Sequence, residues 1–147
     1  MKVNECMCKN VVCANQDTTI SDVAKLMSDN HVGCIPICDF NKNVVGLITD
    51  RDITLRTVAC GKDANTTKAS EIMTTQVYKV NPTADISEAS QMMCECQVRR
   101  IPVVEGNTIV GILTLGDLAN HQNVKQEEVS NTVEGICRCN NNPKNWM

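Results

Sequence analysis

The sequence predicts an α+β fold of two pseudo-symmetric β-α-β-β-α repeats that pack sheet to sheet as one module. Three observations lead to this prediction. The chain repeats itself at an offset of 66 residues (68 − 2, 71 − 5, 73 − 7). Both copies show the same order of strand-like and helix-like patterns. Neither copy of about sixty residues would bury its sheet well alone, so the two are expected to share one body.

The repeat sets the predicted organisation of the chain. Lys2, Glu5 and Met7 coincide with the same residue types 66 positions later, and a one-residue gap in a turn of the second copy then changes the offset to 65. We predict repeat 1 over residues 1–61, a polar linker over 62–67, repeat 2 over 68–121, and a tail over 122–147. The tail is predicted to hold a short amphipathic helix, within 124–136, and then a loose end.

Each copy is predicted to contain the same five elements in order. The helix of the first copy begins at Thr19, an N-cap with an acid three residues on, and carries an apolar stripe at helical spacing. Alternating apolar segments around a polar turn indicate a pair of strands, and a second helix opens at Thr49 or Thr114. The predicted strands are 11–13, 34–38 and 44–48 in the first copy and 77–79, 101–104 and 109–113 in the second.

Composition excludes several classes of protein. The formal net charge is −3, and no basic patch of the kind that binds nucleic acid is present. No apolar run approaches the ~20 residues of a membrane span, and the N-terminal residues lack the apolar core of a secretory signal. A cytoplasmic location is therefore expected. The ten cysteines are interpreted as reduced thiols, most of them small apolar core residues.

Two octapeptides in register with the repeat carry a family resemblance. Residues 45–52 read VGLITDRD and residues 110–117 read VGILTLGD, and each is preceded by an apolar-Pro-apolar strand, at Ile35–Ile37 and Ile101–Val103. This pattern resembles the cystathionine-β-synthase-type (CBS) repeat family over residues 2 to about 121. The resemblance implies a paired module, often dimerised into a flat disc, that binds AMP, ADP, ATP or a related adenosyl ligand in clefts between repeats. It also implies a homodimer that regulates a separate partner of unknown identity.

Thr49 with Asp52, and Thr114 with Asp117, have two interpretations. A threonine at a helix N-cap with an acid at the third helical position is a capping box, which alone explains both pairs. The same geometry suits a nucleotide, because free N–H groups donate hydrogen bonds to a phosphate and the carboxylate accepts both hydrogen bonds of a ribose diol.

Arginines and apolar residues complete the predicted nucleotide site. Arg51, Arg99 and Arg100 are candidate phosphate ligands, because the guanidinium donates in pairs. They are unevenly distributed between the repeats, so Arg51 and the Arg99–Arg100 pair are expected to serve one cleft together. Candidate adenine-slot residues, whose alternative role is ordinary sheet core, are Val12, Ile35, Pro36, Val77, Ile101 and Pro102.

Two other functions stay open. The first is a protein-interaction scaffold with empty clefts. The second is a thiol-based metal or redox sensor, for which the only free enough cysteines are Cys6, Cys8, Cys137 and Cys139. No cofactor is expected, and no catalytic motif such as G-x-x-x-x-G-K, G-x-S-x-G or H-E-x-x-H occurs, so the chain is predicted not to be an enzyme.

Overall fold

The computed structural model describes residues 1–138 and divides the chain into two compact units. The first unit is Val12–Val77. The second unit combines Met1–Val11 with the chain from Tyr78 onwards. The units therefore differ from the sequence repeats, because the first eleven residues belong with the second repeat. The fold is of mixed helix and strand, with one small antiparallel sheet in each unit.

The first unit is a two-stranded sheet covered by a helix. Helix α2 (Ile20–Asn30) is followed by β1 (Cys34–Cys38) and β2 (Val44–Thr49), which pair antiparallel. The Thr19 side chain caps α2 by accepting from the Asp22 N–H at 3.3 Å. The helix, the sheet and the residues just after the linker form one core. Its fully or almost fully buried side chains are Ile20, Val23, Ile35, Ile37, Ile48, Ala69 and Ile72.

The second unit repeats this arrangement. Helix α5 (Ile86–Cys96) precedes β3 (Arg100–Glu105) and β4 (Thr108–Thr114), which also pair antiparallel. Both sheets have an irregular register at equivalent positions of the repeat, between Ile37 and Cys38 and between Val103 and Val104. The core comprises Val3, Val80, Ile86, Ala89, Met93, Ile101, Val103, Leu113, Leu118 and Ile136.

The predicted strands 11–13 and 77–79 are wrong. Each reduces to one parallel bridge just beyond the predicted segment, Ala14 with Ile37 and Val80 with Val103. At each bridge only two backbone hydrogen bonds form with the neighbouring strand, which is too few to extend a ladder. Val12 therefore packs against the core of the first unit without forming part of a strand.

Each repeat begins with a short helix that belongs to the unit containing the sheet of the other repeat. Helix α1 (Val3–Cys6) lies in the second unit, where Val3 is 0% exposed. Helix α4 (Ala69–Ile72) lies in the first unit, where Ala69 is 0% exposed. The residues after them pair with the second strand of each sheet through two-way backbone hydrogen bonds, Cys8 with Ile112 and Thr74 with Leu47.

One helix follows the motif threonine of each repeat, and a last helix follows in the second unit. Helix α3 (Asp50–Ile53) continues as a π-helix over Thr54–Val58, and α6 is Leu115–Asn120. The predicted tail helix is present as α7 (Gln126–Ile136), and the predicted loose end beyond residue 138 lies outside the described residues. No helix in residues 1–138 combines the length and apolar character needed to cross a membrane.

Candidate functional site

The start of α6 holds a complete capping box with one carboxylate oxygen left over. The Thr114 N–H and hydroxyl both donate to Oδ2 of Asp117 at 2.8 Å, and the Asp117 N–H donates to the Thr114 hydroxyl at 3.1 Å. Asp117 is half-buried, and within residues 1–138 its Oδ1 has no hydrogen-bond partner. The box thus fixes the carboxylate while leaving one acceptor oxygen available.

Two arginines lie beside this capping box. Strand pairing places Arg100 opposite Thr114, and the Leu115 N–H donates to the Arg99 carbonyl at 2.9 Å. Arg99 is exposed and Arg100 is half-buried. The structure therefore brings the backbones of four predicted site residues of the second unit together, namely Thr114, Asp117, Arg99 and Arg100.

The start of α3 has the same capping box but a more heavily engaged acid. The Thr49 N–H donates to Oδ2 of Asp52 at 3.0 Å, and the Asp52 N–H donates to the Thr49 hydroxyl at 3.1 Å. The Thr74 hydroxyl also donates to Oδ2 at 3.5 Å, and Nε of Arg56 lies 3.7 Å from Oδ1. Asp52 is only 4% exposed, so both of its oxygens have partners inside the first unit.

The first unit offers fewer cations at the corresponding place. The Asp50 N–H donates to the Gly33 carbonyl at 3.0 Å, so glycine occupies the position that Arg99 has in the second unit. Arg51 is exposed, and its backbone N–H is bound to the Asp50 carboxylate at 2.9 Å. One predicted arginine is thus present near Thr49, against two near Thr114.

The predicted adenine-slot residues fall into two groups, four that are buried and two that are half-buried. Ile35 and Ile101 are 0% exposed members of the two cores, and Pro36 and Pro102 are also buried beside them. These side chains stabilise the sheets, which is the alternative that their sequence pattern already allowed. Val12 and Val77 are half-buried and retain accessible surface.

Sequence reasoning missed the contacts between the first motif and the segment at and just after α4. Arg56 donates from Nη1 to the Ile72 carbonyl at 3.0 Å while facing Asp52. The motif glycine has a related role, because a Cβ on Gly46 would lie 2.6 Å from Sδ of Met73. The spacing of Asp52 and Arg56, four residues apart at a helix start, was the available sequence signal.

The same packing occurs at the motif glycine of the second unit. A Cβ on Gly111 would lie 2.5 Å from Sδ of Met7 and 3.0 Å from the Cys8 carbonyl oxygen. Glycine is therefore required where the segment after α1 crosses β4. The glycine of each octapeptide thus has a packing role that is independent of any ligand.

The cysteines proposed as a weak metal set are not gathered in the described part of the chain. Cys6 donates to the Asp117 carbonyl at 3.5 Å, and burial together with the Asp117 charge raises the pKa of its thiol. Cys8 and Cys137 are exposed, and Cys139 lies outside the described residues. Within residues 1–138, no three His, Cys, Asp or Glu side chains are positioned to hold one metal ion.

A groove of about 400 Å³ lies elsewhere, along α5 and α7. None of the predicted nucleotide ligands lines it; the lining residues are Ser87, Ser90, Gln91, Cys94, Lys125, Glu127, Glu128, Asn131 and Thr132. The two helices approach closely, because a Cβ on Gly135 would lie 2.5 Å from Sγ of Cys94. The groove therefore contains no residue of either capping box.

Comparisons with known proteins agree with this architecture. The CBS domain family matches residues 3–57 and 69–123. The CBS domain-containing protein YhcV of Bacillus subtilis (strain 168) is 38% identical over 138 residues, which cover 94% of this chain and 96% of the relative. Hypoxic response protein 1 of Mycobacterium tuberculosis is 35% identical over 127 residues, 86% of this chain and 87% of the relative.

Two solved structures are similar at the level of the fold. The crystal structure of Hypoxic Response Protein I with two coordinated zinc ions has a TM-score of 0.77 at 36% identity, covering 82% of this chain and 98% of that one. The CBS domain pair of protein MJ0100, in complex with 5′-methylthioadenosine and S-adenosyl-L-methionine, has a TM-score of 0.72 at 26% identity, covering 81% and 93%. CBS domain pairs are regulatory modules. With both repeats matched, the chain belongs to the CBS domain family and carries a pair of CBS domains.

Proposed function

We propose that this protein is a non-catalytic sensor module that binds an adenosyl ligand, most favourably AMP, ADP or ATP. The observation that carries the proposal is the group formed by Arg99, Arg100, Thr114 and Asp117, in which Oδ1 of Asp117 has no partner among residues 1–138. This group presents an oriented acceptor and two cations on one unit. Those are the two features that a ribose phosphate needs.

The chemistry of each residue fits a nucleotide. Oδ2 of Asp117 is held by Thr114, so the carboxylate is oriented before a ligand arrives, and Oδ1 can accept from a ribose hydroxyl. Exposed Arg99 can donate two parallel hydrogen bonds to a phosphate, and Arg100 adds positive charge beside it. Because these groups bind and do not activate a nucleophile, the arrangement supports recognition and not catalysis.

The first unit contributes less to binding in this proposal. Asp52 is almost fully buried, and both its oxygens face partners within the unit. Its carboxylate would have to break existing contacts to accept from a ribose. We therefore assign the main ribose contact to Asp117 and a structural role to Asp52, with Thr49, Arg51 and half-buried Val12 as secondary candidates.

A solved relative supports the ligand class. The MJ0100 domain pair is in complex with 5′-methylthioadenosine and S-adenosyl-L-methionine, both of which contain adenosine. The proposal extends that class to this chain and includes a cytoplasmic location, where adenine nucleotides are abundant. The regulated partner would be a separate protein.

Calorimetric titration with AMP, ADP, ATP and S-adenosyl-L-methionine tests the proposal. Asp117→Asn removes a charged acceptor and should weaken the best ligand by roughly ten- to a hundredfold. Glu71→Gln is the matched control, because Glu71 occupies the same third helical position in α4 and accepts from the Lys68 N–H at 2.6 Å. Binding by the parent protein that Asp117→Asn leaves unchanged would contradict the assignment, and absence of any binding would favour an interaction scaffold.

A second substitution separates the ribose contact from the phosphate contact. Arg99→Gln should weaken ATP and ADP more than 5′-methylthioadenosine, which has no phosphate. Asp117→Asn should weaken all of these ligands by similar factors, because all contain the ribose diol. If Arg99→Gln weakens the affinity for both ligand types by the same factor, the assignment of Arg99 as a phosphate ligand is wrong.

We also propose that the protein forms a homodimer. The observation is a pair of exposed apolar side chains in the π-helix region, Leu55 at 47% and Val58 at 70% exposure. Leu118 is 1% exposed and belongs to the core, so it is not available as a dimer contact. Sedimentation should report a dimer that Leu55→Asp with Val58→Asp converts to monomer, while a parent protein that sediments only as monomer at tens of micromolar would refute the proposal.

A further inference from the structure

Two thiols of the first unit lie side by side. The Ala14 N–H donates to the Pro36 carbonyl at 3.0 Å, and the Cys38 N–H donates to the Ala14 carbonyl at 2.8 Å. These bonds hold the segment that carries Cys13 against the end of β1. The parallel bridge of Ala14 with Ile37 places Cys13 and Cys38 on the same face of this pair of segments, since each is one residue away from the bridge. Both are free thiols.

The environment makes the two sulfurs chemically different. Interaction with the Cys38 side chain lowers the pKa of the Cys13 thiol against the opposing effect of burial, and the charge of Lys42 lowers it further. Interaction with Cys13, together with burial, raises the pKa of Cys38. Cys13 is half-buried and reachable, whereas Cys38 is 6% exposed. A reachable thiol with a lowered pKa beside a second thiol is the arrangement of cysteines that oxidise reversibly.

The fold does not require these thiols. In the second unit the Val80 N–H donates to the Pro102 carbonyl at 3.1 Å, and the Val104 N–H donates to the Val80 carbonyl at 2.9 Å. The backbone arrangement is thus the same, yet Lys79 and Val104 occupy the positions of Cys13 and Cys38. The equivalent positions of the second unit therefore keep the same backbone bonds without a pair of thiols.

We propose that Cys13 and Cys38 form a reversible dithiol–disulfide modification site that hydrogen peroxide oxidises and glutathione reduces. The Cys13 thiolate attacks one peroxide oxygen, forming an S–O bond, breaking the O–O bond and releasing hydroxide. The Cys38 sulfur then attacks the sulfur of the sulfenic acid, forming the S–S bond. The Cys38 proton combines with the departing hydroxyl as water, so two electrons pass from the sulfurs to the peroxide.

The experiment maps the first disulfide that forms in the full-length reduced protein. Limited hydrogen peroxide is added, remaining thiols are alkylated, and tryptic peptides are measured by mass spectrometry. Cys13 is the only cysteine of peptide 10–25, and Cys38 lies in peptide 26–42 with Cys34. We expect these two peptides to be joined, with a loss of about 2 Da for the two hydrogens removed, and glutathione to separate them again.

Two variants of the same tryptic peptide identify the partner sulfur. Cys38→Val introduces the residue type that Val104 provides in the second unit, so it should fold with a circular dichroism spectrum like the parent's and lose the cross-link. Cys34→Ser should keep the cross-link. Peroxide that first oxidises the exposed Cys8 or Cys60, or a cross-link that persists in Cys38→Val, would overturn the proposal.

Discussion

Replacing Asp52 by alanine should destabilise the protein far more than replacing other capping acids. Asp52 accepts the Thr49 N–H at 3.0 Å and the Thr74 hydroxyl at 3.5 Å, and it lies 3.7 Å from Nε of Arg56. At 4% exposure, water cannot take over these roles when the carboxylate is removed. The substitution therefore leaves a backbone donor without its acceptor and removes the contacts to Thr74 and Arg56.

The magnitude follows from these contacts. The unpaired Thr49 N–H should cost about 1–3 kcal/mol of unfolding free energy. The ion pair to Arg56 adds only a few tenths to about 1 kcal/mol, because the Arg56 side chain is 47% exposed and solvent screens its charge. We expect a total loss of about 2–3 kcal/mol. Glu71→Ala, which removes an exposed acid at the same helical position, should cost about 0.3–1 kcal/mol.

Urea denaturation followed by circular dichroism checks this difference. The midpoint for Asp52→Ala should fall clearly below that for Glu71→Ala, with an unchanged slope. A double-mutant cycle with Arg56→Ala should give a coupling below about 1 kcal/mol. If Asp52→Ala is no more destabilising than Glu71→Ala, then Asp52 is an ordinary surface cap, and its assignment as a structural residue is wrong.

Three further predictions concern stability. Thr57 is 0% exposed, and within residues 1–138 its hydroxyl has no hydrogen-bond partner. Thr57→Val should therefore raise the unfolding free energy, measured by urea denaturation, by about 1 kcal/mol, and a lower unfolding free energy would contradict this prediction. Gly46→Ala should lower the melting temperature because its Cβ would meet the adjacent methionine sulfur at 2.6 Å, whereas Gly116→Ala, with its nearest contact at 3.5 Å, should not. The hydrogen bond and charge of Lys2 lower the pKa of Asp85. The stabilisation of the fold by this pair should therefore be present above the unfolded pKa of about 3.9 and should disappear as pH falls through the lower folded value. An NMR titration in which Lys2→Met leaves the Asp85 pKa unchanged would disprove this.

The sequence predicted most of the fold because its signals are local. Helix starts at Thr19, Thr49 and Thr114 are encoded by a cap and an acid three residues later, and the structure confirms all three side-chain caps. The paired strands followed from short apolar segments around polar turns. The repeat also identified equivalent positions, which is why the capping boxes and the Arg99–Arg100 pair were found without coordinates.

Interactions between distant segments could be decided only by the tertiary structure. Three-residue segments such as 11–13 look like strands, but whether they extend a ladder depends on the partner strand, and here one bridge forms at Ala14. The different roles of Asp52 and Asp117 depend on whether Arg56 and Thr74 reach the carboxylate.

What the sequence determined by itself is the family, the order of elements and the residue types available for a nucleotide. The tertiary structure decided that residues 1–11 join the second unit and that Cys13 meets Cys38, 25 positions away (38 − 13). The physical reason is the sequence separation of the interacting residues. The residues of a cap or an apolar stripe lie within one or two helical turns of each other, where spacing alone specifies which residues are in contact. A contact between distant segments forms only when packing of the whole core compensates the entropy of closing the intervening chain.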